Sequence, residues 1–239
     1  MIPCGPGGLP CLRKSRSSRD PLSFREEGRR EEAIEQRLRP PGGHETASGI
    51  LLEVGALASD PIMEEIPLER QRVYEGRILN LRVDTVRLPS GRTALREIVE
   101  HRGAVAIVPI LADGRVVLVR QFRYAVGQVS LEIPAGTLEP GEEPLACARR
   151  ELEEETGYQA ARWERLGAIW PTPGYSTEEI TLFIARDLTP GPARPEFDEA
   201  LSVIPMSWSE IWEAIEEGRL RDAKSIVALA WAARRLGGR

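Results

Sequence analysis

The sequence predicts an α+β domain: a mostly antiparallel or mixed sheet with helices packed on it as an α/β/α sandwich, behind a disordered N-terminal tail. Three observations predict it. From about Val73 onward, short apolar–polar alternations follow one another between turn signals, as strands do. Helical periodicity is convincing in three places only, one in mid-chain and two near the C-terminus, so the strand–helix alternation of a doubly wound fold is absent. Residues 1 to 62 lack any sustained apolar period.

That first segment, "MIPCGPGGLPCLRKSRSSRDPLSFREEGRREEAIEQRLRPPGGHETASG" and the residues up to 62, is rich in Pro, Gly, Ser and Arg. It buries too little apolar surface to offset the entropy of ordering it, although "REEAIEQRL" could form a short helix. Met63 opens a segment that reads as folded from its first residues, which places the domain at residues 63 to 239 and makes Met63 an alternative start of the natural chain. There "RILNLRVDTVRL" alternates as a strand, Ser90-Gly91 turns the chain, and "TALREIVEH" follows. "AVAIVPIL" and "VVLVRQF" flank Ala112-Asp113-Gly114, a hairpin signal in which glycine supplies positive φ. "VSLEIPAG" reads as one further short strand. The first helix runs from Pro144, well suited to a first turn, to Gly157, well suited to the left-handed position just past the end. Its inward stripe is Leu145, Ala148 and Leu152, at spacings of three and four. "RLGAIW" and "EITLFIAR" read as strands across the loop "PTPGYSTE", and "LSVIPM" as the last strand. Two helices close the chain, "SWSEIWEAIEEG" and "DAKSIVALAWAARRL". Ser207 is the expected N-cap of the first, with Glu210 at the capping-box position.

At 239 residues, 41% hydrophobic and 29% charged, the chain suits one domain with extensions. A net charge of −5 disfavours a sequence-independent nucleic-acid binder, which needs a basic face. No apolar run reaches the ~18–20 residues that span a bilayer. "ILLEVGALASD" imitates a signal peptide but contains Glu53 and lies far from Met1. Cys4, Cys11 and Cys147 form neither a metal spacing nor an even disulfide set, which points to the reducing cytoplasm. His44 and His101 have no partner at a telling spacing, so any chemistry must run on carboxylates.

Those carboxylates are concentrated in "RRELEEETGY". Glu151, Glu154 and Glu155 stand at i, i+3 and i+4, on one helical edge, while Glu153 falls elsewhere. Like charges at such spacing destabilise a helix by about 0.2–0.5 kcal/mol per pair. Exposed salt bridges from Arg149 and Arg150 would recover little of that. A divalent cation would reverse the sign of the cluster, and oxygen-only donors favour Mg²⁺ before Mn²⁺ and exclude zinc. The plainer alternative is a merely hydrophilic helix face.

The surrounding pattern decides between them. Gly136, five residues, Glu142, seven residues, then Arg150-Glu151-Leu152-x-Glu154-Glu155-x-Gly157-Tyr158 matches the Nudix hydrolase motif at its fixed positions. Seven specified residues would recur by chance on the order of once in a million such chains. Tyr158 stands where an aliphatic residue is more usual. The resemblance implies a loop–helix–loop that holds Mg²⁺ against a pyrophosphate. Glu151 and Glu155 resemble the main metal ligands, Glu154 a further ligand or water-positioning group, and the Ala135 carbonyl an additional ligand. Arg150 resembles a partner that orients the glutamates. Gly136 would permit the tight loop, and Glu142 would tie it to the helix.

The flanks resemble the ADP-ribose pyrophosphatase branch of that family. "VRQFRYAVG" followed by "LEIPAG" does so, as do Pro173 within "PTPGYSTE" and the C-terminal "SIVALAWAARRL". The likeness runs from about residue 70 to residue 236 and leaves the N-terminal tail unmatched. It implies Mg²⁺-dependent hydrolysis of ADP-ribose to AMP and ribose 5-phosphate, on two or three ions. On that reading Arg120 or Arg123 holds a phosphate or the terminal ribose, because guanidinium forks suit phosphate oxygens. Glu132 resembles a substrate-contacting position, and Pro173 would shape the adenine or ribose pocket. For Arg120, Arg123 and Glu132 the alternative is a solvent-facing strand residue; Trp170 reads as core. A base is still needed, and the acidic loop "ARPEFDEALSV" offers Glu196, Asp198 and Glu199, of which Glu199 aligns best. The resemblance also implies a homodimer in which strands near residues 70 to 100 reach the partner's site. The rivals are a Nudix hydrolase for another sugar nucleotide, NADH or FAD, and a non-catalytic ADP-ribose sensor.

Overall fold

The structure is a computed structural model that describes residues 63–193 and 200–237. The expected disordered tail and the acidic-loop residues Glu196, Asp198 and Glu199 lie outside the described residues. Strands β1 (Ile66–Glu75), β2 (Leu79–Arg87) and β3 (Thr93–His101) form an antiparallel sheet in that order. The chain then runs through β4 (Ala104–Pro109), β5 (Val116–Arg123), β6 (Gln128–Glu132), β7 (Ala135–Thr137) and helix α1 (Pro144–Thr156). Strands β8 (Tyr158–Ile169), β9 (Ile180–Pro190) and β10 (Leu201–Met206) follow, then helices α2 (Trp208–Glu216) and α3 (Ala223–Arg235). Strands β7-β4-β9-β8 make a mixed sheet, with β4 and β9 parallel, and β10-β5-β6 an antiparallel one.

Every residue of β4 is buried, because both faces of its sheet are covered. Val105 and Ile107 pack with Cys147, Ala148 and Leu152 of α1 and with Phe183 and Ala185 of β9. The alternate residues Ala104, Ala106 and Val108 pack with Ile211 and Ala214 of α2 and Ala228, Leu229 and Ala232 of α3. That is the α/β/α sandwich. Fully burying a side chain such as Leu152 contributes about 1.5–3 kcal/mol, so α1 is held to the sheet chiefly by three residues.

Four details depart from the sequence reading. The turn at Ala112-Asp113-Gly114 forms, with Gly114 at φ +87° and its N–H donating to the Leu111 carbonyl at 2.9 Å. The flanking strands share only one bridge, Ile110 with Val116, and then part into the two different sheets. Both are continuous apolar runs, and such runs encode burial without encoding the partner. "VSLEIPAG" is likewise two strands in two sheets. Pro134 has no N–H for a ladder, and its carbonyl accepts from Ile107 N–H at 2.9 Å where the chain crosses over. Leu145 is 37% exposed, and Cys147, a small hydrophobe in its thiol form, takes the inward place. Strand structure also begins at Ile66, before the alternation becomes readable, in a strand exposed throughout.

Candidate active site

The crossover from β6 to β7 delivers residues 132–136 against α1. Glu155, buried in the middle of the domain, accepts a hydrogen bond from the Ala135 N–H at 3.2 Å. Gly136 lies so close to α1 that an added Cβ would stand 1.8 Å from Cδ of Glu151. Only a residue without a side chain lets the Glu151 carboxylate lie on this backbone. Gly157 ends α1 in the left-handed conformation, φ +74°, with its N–H on the Glu153 carbonyl. A Cβ there would meet the Gly191 carbonyl at 2.4 Å, so β9 leaves its sheet directly beside the end of α1.

Arg150 organises the acidic edge. Its Nε and Nη2 donate to the two oxygens of Glu142, each at 3.0 Å. Nη1 donates to Glu151 at 2.7 Å and Glu154 at 3.1 Å, and Nη2 also reaches the Thr137 carbonyl at 3.4 Å. Exposed salt bridges of small value were expected here; the partly buried, forked arrangement is a charge-assisted network instead. Arg149 is exposed and has no part in it. Hydrogen bonding to Arg150 holds the Glu142 carboxyl down at about 2, and Glu142 in turn accepts from the Glu139 N–H, which ties loop to helix. The same bonds raise Arg150 above its ordinary value. Burial, followed by the charge of Glu151, pushes the Cys147 thiol up to about 12, so it is no nucleophile.

A divalent cation fits this donor set. Glu151, Glu154 and Glu155 supply carboxylate oxygens from one edge of α1, with the Ala135 carbonyl on the facing strand β7, and all are hard donors. The Gly136 cradle keeps that strand against Glu151. Among the described residues no three acidic groups close into a ready cage, because Arg150 Nη1 bridges Glu151 and Glu154.

The remaining candidates are placed unevenly. Glu132 is no solvent-facing strand residue: its side chain is 3% exposed. Its oxygens accept from Arg123 Nε at 2.8 Å and Nη2 at 2.7 Å, and from Lys224 Nζ at 2.6 Å. Burial alone would raise Glu132, but Arg123 and then Lys224 outweigh it and hold the carboxyl at about 2. Glu132 in turn raises Arg123. Three residues after Glu132, the Ala135 N–H donates to Glu155, which brings the pair and the α1 edge close along the chain. Arg120 is exposed on β5, opposite Leu131 and Ser202. Pro173 is exposed in the turn after β8. Trp170, read as core, is 65% exposed just before that turn, available to a ligand. Sequence reasoning missed Lys224 altogether. Its signal was there: a lysine in the first turn of a helix opposes the macrodipole and calls for a specific acidic partner.

Comparison with known proteins places the chain in a family. A family model described as NUDIX domain matches residues 100–229, and one described as nucleoside diphosphate sugar hydrolase N-terminal domain matches residues 65–99. The chain is 38% identical over 172 residues to the methanol dehydrogenase activator of Bacillus methanolicus, covering 71% of this chain and 93% of that protein. It is 36% identical over 171 residues to the ADP-ribose pyrophosphatase of Bacillus subtilis (strain 168), covering 71% and 92%. A crystal structure of an ADP compounds hydrolase shares the fold at TM-score 0.67 and 23% identity, over 75% of this chain and 97% of that one. The chain belongs to the Nudix hydrolase family and is a pyrophosphohydrolase.

Proposed function

We propose that this protein hydrolyses the diphosphate bond of ADP-ribose to AMP and ribose 5-phosphate with Mg²⁺, for which Mn²⁺ can substitute. Nudix hydrolases generally use divalent metals. What carries the reading is the Glu151–Glu154–Glu155 edge seated on the Gly136 backbone, in a chain related along most of its length to an ADP-ribose pyrophosphatase. When bound, the ion supplies Lewis acidity and an acidified water. Glu151, Glu155 and the Ala135 carbonyl would hold it, with Glu154 as a further ligand or orienting the water. Arg150 bridges Glu151 and Glu154 and offsets their mutual repulsion. Arg123 offers a diphosphate oxygen its guanidinium, and Glu132 fixes the plane of that fork. The water oxygen bonds to one phosphorus as the bridging P–O bond on that phosphorus breaks, in line, and the water's proton goes to a carboxylate base.

Glu199 is that base, with Glu196 its alternative, on the loop between β9 and β10. The loop departs beside Gly157 at the end of α1 and rejoins at Leu201, which pairs with Gln121 on β5, two residues from Arg123. Its described ends therefore adjoin the end of α1 and the strand that carries Arg123. Glu199→Gln is expected to lower kcat about a hundredfold while ADP-ribose affinity holds; near-normal turnover removes Glu199 from the mechanism. The protein works in the cytoplasm as a homodimer. The outer edge of β1, unpaired among the described residues and with Ile66, Val73 and Tyr74 exposed, supports such pairing. No helix among the described residues is long and apolar enough to cross a membrane.

The test is phosphatase-coupled phosphate release with Mg²⁺ across ADP-ribose, ADP-glucose, NADH, FAD and dNTPs. ADP-ribose is expected to lead. A dNTP in first place overturns the substrate and leaves the family standing.

A further inference from the structure

Lys224 is the second residue of α3, close to the positive end of the helix dipole, where a cation is disfavoured. It is nonetheless held there: its side chain is 14% exposed, 2.6 Å from Glu132 Oε2 and 3.0 Å from Asp222 Oδ1. Glu132 thus answers two cations with one charge. Arg123 presents its Nε–Nη2 edge to Glu132, and among the described residues no acceptor takes its Nη1. Asp222 also caps α3 by accepting from the Ser225 N–H at 3.0 Å. Ser225 Oγ, which donates to Asp222, accepts from the Ile133 N–H at 2.9 Å. The N-terminus of α3 therefore grips the crossover segment at two consecutive residues, Glu132 by its side chain and Ile133 by its backbone, just before Ala135 and Gly136.

We propose that Lys224 is a positioning residue for diphosphate capture: by offsetting the second carboxylate of the cluster, it lets Glu132 fix Arg123 in place without surplus negative charge beside a phosphate oxygen. The four groups Arg123, Lys224, Glu132 and Asp222 sum to zero. Without the lysine they sum to −1, and that surplus charge opposes an approaching polyanion. Lys224 touches no substrate and acts through Arg123. The inference rests on the diphosphate reading above but not on which group the diphosphate carries.

The experiment uses the full-length protein with Lys224→Gln, Lys224→Met and Lys224→Arg, each alone and the first also with Arg123→Ala. The readouts are KM and kcat for ADP-ribose with Mg²⁺, inorganic pyrophosphate binding by calorimetry, and thermal melts. Lys224→Gln is expected to raise KM and pyrophosphate Kd about tenfold, the scale of one unit charge at this range, with kcat within about twofold. Lys224→Arg restores both. In the Arg123→Ala background Lys224→Gln changes pyrophosphate binding less than about twofold, since the two act as one unit. Lys224→Met serves if Lys224→Gln does not fold. Unchanged KM, an equal loss with and without Arg123, or a loss that tracks melting temperature and is not restored by arginine overturns the proposal. If ADP-ribose is not turned over but pyrophosphate binds, the substrate reading fails and the pyrophosphate comparison still decides Lys224. A wild-type protein that binds no pyrophosphate overturns both.

Discussion

Helices α1 and α2 sit on opposite faces of the same sheet and are built by opposite rules. Helix α2 is made to be a helix. Ser207 caps it, Glu210 completes a reciprocal capping box, and that glutamate also lies in the first turn, where the macrodipole favours it. Helix α3 follows suit, with Asp222 at its N-cap and Arg234 and Arg235 in its last turn. In α1 the Glu143 side chain makes no cap bond, the first turn holds no acid and the last turn no base. Its four glutamates crowd toward the negative end, the wrong end for the dipole. Packing by Cys147, Ala148 and Leu152 and the Arg150 network hold it in place. The difference teaches where the molecule accepts local instability: above all on α1, whose charges are needed for something other than the helix, and on a smaller scale at Lys224 of α3.

The comparison breaks or sharpens under mutation. The largest effect belongs to α1: Glu155→Gln or Glu151→Gln should lower kcat by about 10²–10³-fold, the loss typical of removing one charge-stabilising group. The melting temperature should hold in Glu155→Gln, whose amide oxygen still accepts from the Ala135 N–H, while Glu151→Gln gives up one Arg150 bond and should cost no more than about 1 kcal/mol. A fall in stability parallel to the loss of activity would make these glutamates structural. Ser207→Ala reverses the pattern, costing about 1 kcal/mol in denaturant unfolding with kcat and KM unchanged. The smallest effect is a pH dependence. The Glu142 carboxyl, lowered from its ordinary 4.5 to about 2 by Arg150, contributes stability that is complete above the ordinary value and lost as pH falls toward about 2. Glu142→Gln should therefore narrow the gap in melting temperature from wild type across that window as the solution is acidified. A gap independent of pH would remove the carboxylate from the Arg150 network.

What the sequence made legible follows the same divide. Signals that act over a few residues read correctly: the bounds of β3 and β10, the Ser207–Glu210 box, the glycine that ends α1 and the spacing of the glutamate edge. Partner choice did not read. Strands β4 and β5 carry the same apolar run on either side of a sound turn, and nothing in either run says that they enter different sheets. Trp170 looked like core because tryptophan usually is, yet the chain is turning away from the sheet at that point. Lys224 pairs with Glu132 across 92 residues, a separation at which only tertiary structure brings charges together. Arg150 was underestimated because a pairwise view of surface ion pairs has no place for one guanidinium serving three carboxylates.

Titrating the full-length protein with Mn²⁺ in a calorimeter, beside Glu155→Gln and with and without ADP-ribose, tests the central claim most directly. The account predicts metal uptake by the wild type, strengthened by ADP-ribose, and its loss or at least tenfold weakening in the variant. No uptake by the wild type under either condition, or the same uptake by both proteins, would contradict it.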